Sequence, residues 1–260
     1  VQTLALPELI DARAPGRWRG LRPWRFGALA LLACAAAYAG WQLARPLAAG
    51  QLAAAMPPAL EAQLGQGILH ALERGTLAPS ALSVWHQQRI SDAFAGLQAP
   101  HEGAPRHRLL FRAGHMGAAA FALPSGDIVV TDALVLALPD DGAVLAVLAH
   151  ELGHLQRRHM LPRLAEEALL PTAAGIVLGD TGWLVSSVAP RVPHLAWTQQ
   201  AEIDADKYAA DLLEHNGLPL RSLPEAYEAL TAATGGPPAY LAIHPPGAER
   251  MALQRDRSAP

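Results

Sequence analysis

Hydrophobic positions along the chain fall into blocks of different period. Residues 26–44 are 19 consecutive positions without a charge, closed by Arg45. That length matches the ~20 residues a helix needs to cross a bilayer. Trp24 and Trp41 lie near the two ends, where interfacial aromatics are expected. A buried, alanine-rich core helix and a signal-peptide core share the pattern. The late start of the run, and Pro46 in place of a cleavage site, favour the membrane span. From 46 to 97 the pattern is helical, with breaks at Pro57-Pro58 and around Gly75 to Pro79. A polar stretch with Pro100, Gly103 and Pro105 follows. Residues 108–112 and 121–131 read as strands. In the second, Pro124-Ser125-Gly126-Asp127 supplies turn chemistry ahead of the β-branched Ile128-Val129-Val130-Thr131. Asp140-Asp141 opens a helix expected to reach at least His159. A second helix is expected from Leu195 to His215, closed by Asn216-Gly217. Residues 224–231 read as a third, before a Gly-Pro-rich tail.

These elements predict an α+β fold, mostly helical with a small β-sheet, behind one N-terminal transmembrane helix. The expected divisions are a basic segment at 1–25, the span at 26–44, a helical linker or subdomain at 45–99, and the chemistry-bearing domain at 100–260. Composition agrees: 51% of the 260 residues are apolar but only 5% aromatic, which favours helices over a many-stranded sheet. With 20 basic against 23 acidic residues there is no electrostatic footprint for nucleic acid. The positive charge is unevenly placed. Arg13, Arg17, Arg19, Arg22 and Arg25 precede the span, and the 28 residues after Arg45 hold no Lys or Arg until Arg74. The positive-inside rule then puts the N-terminus in the cytoplasm. A single-pass protein of the bacterial inner membrane is expected, held by lipid around 26–44, with its main domain in the periplasm. The one cysteine, Cys34, leaves neither an intramolecular disulfide nor a Cys-based zinc site. The chain begins at Val1 without a methionine, so removal of upstream residues is expected.

The chemistry centres on His150-Glu151-Leu152-Gly153-His154, an HExxH sequence after the apolar run 143–149. Four-residue spacing puts both histidines on one helix face, one turn apart, where both imidazoles can reach one ion. Glu151 sits beside that ion and can take a proton from a water the metal has acidified. The alternative is a solvated amphipathic helix with two incidental histidines, so a third ligand is the test. Arg157 and Met160 stand where a metzincin would have Gly and His. Glu166 and Glu167 follow too closely, with Pro162 intervening. Glu202 is better placed, on a helix whose Ala201, Ala205 and Ala209 allow close packing. Asp206, one turn on, can accept from the free nitrogen of a zinc-bound histidine.

Together, the HExxH, the Glu202-Ile203-Asp204-Ala205-Asp206 segment and His244-Pro245-Pro246 resemble the CaaX prenyl endopeptidase family and its bacterial relatives, the HtpX-type and periplasmic quality-control proteases. The resemblance covers about residues 105–255. It implies a zincin-like metalloendopeptidase acting on polypeptides with one Zn2+ per chain. Its implied roles are His150, His154 and Glu202 as zinc ligands, Glu151 as general base and Asp206 as orienter of a ligand. His244 would stabilise the oxyanion, with Arg250 nearby on the substrate side. Phe121-Ala122-Leu123-Pro124 resembles the family's substrate strand, with Ala119 where an Asn is usual; an extended peptide could add to it. Envelope protein quality control is the expected role. A membrane-embedded processing protease for lipidated or transmembrane substrates, and a client-binding assembly factor with minor proteolysis, stand as alternatives. His70, His86, His101, His107, His115, His159, His194 and His215 match no motif and read as structural or solvated. The stretch 168–190, with Asp180 its single charge, reads as a hydrophobic loop or helical hairpin near the cleft.

Overall fold

Helix α1, Pro23–Ala55, is longer than the apolar run alone predicts, because the chain continues helical through Pro46. The computed structural model describes residues 23–100, 103–167, 185–186, 188–233, 239–247 and 250. The basic residues up to 22 and most of the apolar stretch 168–190 lie outside them. Two units divide the chain, Val1–Ala44 and Arg45–Pro260. In the first, Leu31, Leu32 and Leu43 are exposed. Among the described residues, 26–55 is the one helix long and apolar enough to cross a membrane, and none of its apolar window is buried. It therefore has the character of a membrane anchor or a signal sequence, and not that of a core helix.

In the second unit α2 (Pro58–Gly75) starts with Pro58 at its first turn, where a missing N–H costs nothing. It leads to a short strand β1 (Leu77–Pro79) and helix α3 (Val84–Ala95), capped by the Ser83 side chain on the His86 N–H. The expected strands appear as β2 (Arg108–Gly114), β3 (Ala120–Ala122) and β4 (Asp127–Thr131). The sheet order is β1-β2-β4-β3. β2 and β4 are parallel, with Leu110 opposite Val129, while β1–β2 and β3–β4 are antiparallel. β4 is buried on both faces. Ile128 and Val130 face one apolar cluster, Val129 the other, so its sequence reads as a continuous β-branched run. Gly126, at φ 88°, makes the turn between β3 and β4 that the Pro-Ser-Gly-Asp sequence predicts. β1 occupies a stretch read as a helix break, and its three residues are too short to show a period.

After β4 come α4 (Asp132–Ala137) and α5 (Asp141–Gln156). Asp140 caps α5 through the Ala143 N–H, as the paired aspartates predict. The helix ends at Gln156, three residues short of His159, and helix resumes at 160–167. α6 (Gln199–His215) begins four residues later than the apolar pattern suggests, because Thr198 caps it through the Ala201 N–H. Gly217, at φ 65°, follows its end as expected. Helices α7 (Ser222–Ala233) and α8 (Ala239–Ile243) complete the described part. α5 is buried from Ala143 to His154, against the sheet on one side and α6 on the other.

Candidate metal centre and active site

α5 and α6 meet through small residues. A Cβ on Gly153 would lie 2.9 Å from both the Cα and the carbonyl oxygen of Ala205. Ala205 and Ala209 are fully buried. That close approach brings the His150/His154 face of α5 against the Glu202/Asp206 face of α6. The result is a sealed polar centre: His150, Glu151, Glu202 and His244 are 0% exposed and His154 2%.

Four donors turn towards one point, and they lie within 4.8 Å of one another. His150 Nε2 is 3.0 Å from His154 Nε2 and 3.2 Å from His244 Nδ1. Glu202 places Oε1 3.3 Å from His154 Nε2 and 2.9 Å from His244 Nδ1, with Oε2 3.6 Å from His150 Nε2. A tetrahedral zinc with ligands at ~2.0–2.1 Å separates its donors by roughly 3.4 Å. The spacing fits. The charges fit as well: Glu151, Glu202 and Asp206 are three buried carboxyl groups, set against the guanidinium of Arg250 and the imidazole of His244, which the carboxylates of Glu151 and Glu202 raise against its burial. A dication offsets the excess, and it gives converging lone pairs the partner they need.

Each group is tuned by what surrounds it. Burial drives the His154 imidazole well below its usual range, so it is neutral and free to coordinate. Burial would raise Glu202, but the imidazoles of His244, His154 and His150 outweigh it and hold the carboxyl far below the ordinary carboxylate range. Asp206 is likewise held low against its burial, by hydrogen bonds from His150 and Arg250. Glu151 goes the other way: burial raises it and outweighs the lowering pull of His244, whose Nε2 stands 3.3 Å away, and of His150 and Tyr240. A raised carboxyl is the better proton acceptor.

Around the donors sits a supporting layer. Asp206 Oδ1 accepts from His150 Nδ1 at 2.8 Å, as the spacing on α6 predicts. His154 Nδ1 lies 3.0 Å from His159 Nδ1, and the Trp197 ring stacks on His154 with centroids 4.5 Å apart. His159 is thus not the incidental residue its lack of a motif suggests. Burial pushes its imidazole down to about 4. Arg250 also departs from expectation. It does not face a cleft but lies 1% exposed behind the ligands. There it donates to Asp206 Oδ2 and Oδ1 at 2.8 and 2.9 Å, to Tyr227 Oη at 2.5 Å, and pairs with Glu202 Oε2 at 2.5 Å. Its long side chain completes the acidic pair rather than contacting substrate. His244 stands among the donors through Nδ1 and beside Glu151 through Nε2.

Phe121 and Ala122 lie on β3 and Leu123 follows it, and all three are buried. Just before this strand, the Tyr240 N–H of α8 donates to the Ala118 carbonyl at 2.9 Å. The same segment accepts the Trp197 N–H on the Ile243 carbonyl at 3.0 Å. Beside His154 a cavity of only about 10 Å³ remains, among Glu61, Leu123, Pro124, Arg158 and Met160.

The family model described as Peptidase family M48 matches residues 80–257, which carry every element of this centre. The chain belongs to peptidase family M48. Among similar proteins, the mitochondrial metalloendopeptidase OMA1 of Arabidopsis thaliana is 32% identical over 139 residues, 52% of this chain and 28% of that protein. The metalloprotease YcaL of Escherichia coli is 26% identical over 148 residues, 54% of this chain and 58% of YcaL. The metalloprotease LoiP of the same organism is 26% identical over 193 residues, 71% of this chain and 74% of LoiP. This M48 chain thus spans about a quarter of OMA1 and somewhat over half of YcaL. The mostly helical fold with a small sheet expected from the sequence is present, and the converging donor set lies within the matched residues. Sequence reasoning missed His159, Trp197 and Tyr227, none of which lies in a motif.

Proposed function

We propose that this M48 chain is a zinc-dependent endopeptidase that cleaves polypeptides in envelope protein quality control. The observation that carries this reading is the convergence of His150, His154, Glu202 and His244 on one point, with the carboxyl of Glu151 alongside. His150, His154 and Glu202 would hold the zinc. When bound, zinc acidifies a water and polarises a peptide carbonyl. The chain's own residues do the rest. Glu151 takes the proton from the attacking water at a carboxylate oxygen and passes it to the leaving amine, a task suited to its raised affinity for protons. His244 Nε2, 3.3 Å from Glu151, offers a donor for negative charge developing on the carbonyl oxygen. Asp206 and Arg250 hold His150 and Glu202 in place. An extended peptide would add along Phe121-Ala122-Leu123, at the end of β3.

The similarity to a metalloendopeptidase and to metalloproteases supports the activity, and the Escherichia coli beta-barrel assembly-enhancing protease, 24% identical over 155 residues, supports the envelope role. The arginine distribution and the exposed apolar helix 26–55 support an inner-membrane anchor with residues 100–260 as the peptidase domain on the periplasmic side. The chain purified in detergent should hold about one zinc per molecule and degrade casein, with cleavage lost in Glu151→Gln while zinc is kept. A folded chain that takes up no zinc refutes the proposal. Zinc with cleavage equal in the two proteins refutes the assigned base.

A further inference from the structure

Among the described residues, His159 is the one histidine outside the motifs whose ring reaches the metal centre, and the backbone explains why. Residues 153–159 end α5 in a Schellman turn. The Arg158 N–H donates to the Leu155 carbonyl at 3.0 Å and the His159 N–H to the His154 carbonyl at 3.0 Å. These are the 5→2 and 6→1 bonds of that motif. The residue between them, Arg158, has φ 53°, in the left-handed region. Glycine usually fills this place, since a side chain there costs on the order of 1–2 kcal/mol. Arg158 offsets the strain from outside the turn, donating to Glu61 Oε2 on α2 at 2.7 Å. In a Schellman turn the residue after the left-handed one packs against the residue that starts the last turn. Those two are His159 and His154. An apolar contact commonly fills this place. Here it is a ring-to-ring hydrogen bond, with centroids 5.1 Å apart and planes at 72°.

The protons can be assigned from the geometry. His154 Nε2 faces His150 Nε2 and Glu202 Oε1, so its lone pair belongs to the metal position. The proton of His154 then resides on Nδ1, and His159 Nδ1, at 3.0 Å, accepts it. His150 has the equivalent support from Asp206 on α6. We propose that His159 is a positioning residue for His154, fixing the ring and tautomer of this ligand across a helix-terminal turn held by Arg158. The assignment rests on the zinc reading above. It makes the two ligand histidines unequal: one is backed by a carboxylate from another helix, the other by a ring from the turn that ends its own.

The test measures zinc affinity of the full chain in detergent by competition with a chromophoric chelator, together with the visible spectrum of the Co2+-loaded protein. Three variants are compared. His159→Phe keeps a ring but cannot accept, His159→Ala removes the ring, and His159→Asn places Oδ1 about where Nδ1 stood. Loss of such a partner weakens metal binding about 10- to 100-fold. Phe and Ala should show that loss and an altered Co2+ spectrum, and Asn should recover most of the affinity. Wild-type affinity in Phe and Ala, or an Asn variant as weak as they are, overturns the assignment while leaving the zinc reading intact. A wild-type chain that binds neither metal ends both. Should the acceptor-free variants not fold, the Asn variant decides by its affinity and Co2+ spectrum: values at wild-type level support the assignment and a tenfold loss overturns it.

Discussion

Arg250 is buried against two carboxylates, Asp206 and Glu202, so its removal takes the guanidinium from both in a low-dielectric interior. Breaking a buried pair by deleting one partner costs about 3–5 kcal/mol. Arg250→Met should lose that much in urea unfolding. Arg250→Lys should regain only part of it, because an ammonium cannot reach Asp206, Glu202 and Tyr227 together. A loss below about 1 kcal/mol in the Met variant would show that the centre is solvated. Asp206 gives a pH-dependent counterpart. Its carboxyl titrates lower in the folded state than in the unfolded chain, where it has the usual value of about 3.9. Its contribution to stability is therefore complete above that value and disappears as pH falls through the depressed folded one. In the metal-free chain, Asp206→Asn should lose stability less steeply than wild type on acidification below about pH 4. Parallel curves would mean that Asp206 is not held low. At this scale the sequence was readable wherever a position follows from helical spacing. His150 and His154, and Glu202 and Asp206, each lie one turn apart on their helices. His159 was hidden because its position depends on where α5 stops, and a non-glycine left-handed residue leaves no mark in the sequence.

The contact between α5 and α6 turns on Gly153, a position the HExxH pattern leaves unspecified. A methyl group there would press on Ala205 backbone at 2.9 Å, and backbone cannot rotate away as a side chain can. Overpacking of this kind costs about 1–3 kcal/mol, whereas an unobstructed Gly→Ala in a helix gains up to about 1 kcal/mol. Gly153→Ala should accordingly destabilise the chain and weaken zinc binding together, because α6 carries Glu202. An increase in thermal stability would show that the helices part without cost. The helix boundaries illustrate what patterns can and cannot deliver. Asp140 as an N-cap was legible because two aspartates precede an apolar run. The start of α6 was misplaced at Leu195 because Leu195 and Trp197 are buried in the core as extended chain, and apolar character alone does not separate that from helix. β1 escaped notice for a similar reason, being held by its pairing with β2 rather than by local preference.

In the molecule as a whole, the metal position joins α5, α6 and the segment after α8, which come from distant parts of the sequence. An ion bound only by the folded chain stabilises it by about 2.7 kcal/mol at 100 times its dissociation constant. For a chain of this size each kcal/mol shifts the midpoint by about 2–4 °C. Stripping zinc should therefore lower the unfolding temperature by about 5–10 °C, and re-adding zinc should restore it. An unchanged midpoint would show that the centre is rigid without metal. The hydrogen bond from Tyr240 to Ala118 has a different kind of consequence. On the proposed reading, a peptide that paired along β3 and ran on to Ala118 would contend there for an acceptor that the chain already occupies with its own backbone. Its apparent affinity would be the intrinsic one scaled by the fraction of molecules in which that bond is broken. Selectivity would then acquire a threshold: short peptides that gain only one or two backbone bonds would be outcompeted, while long extended chains, with many bonds to make along the edge, would win.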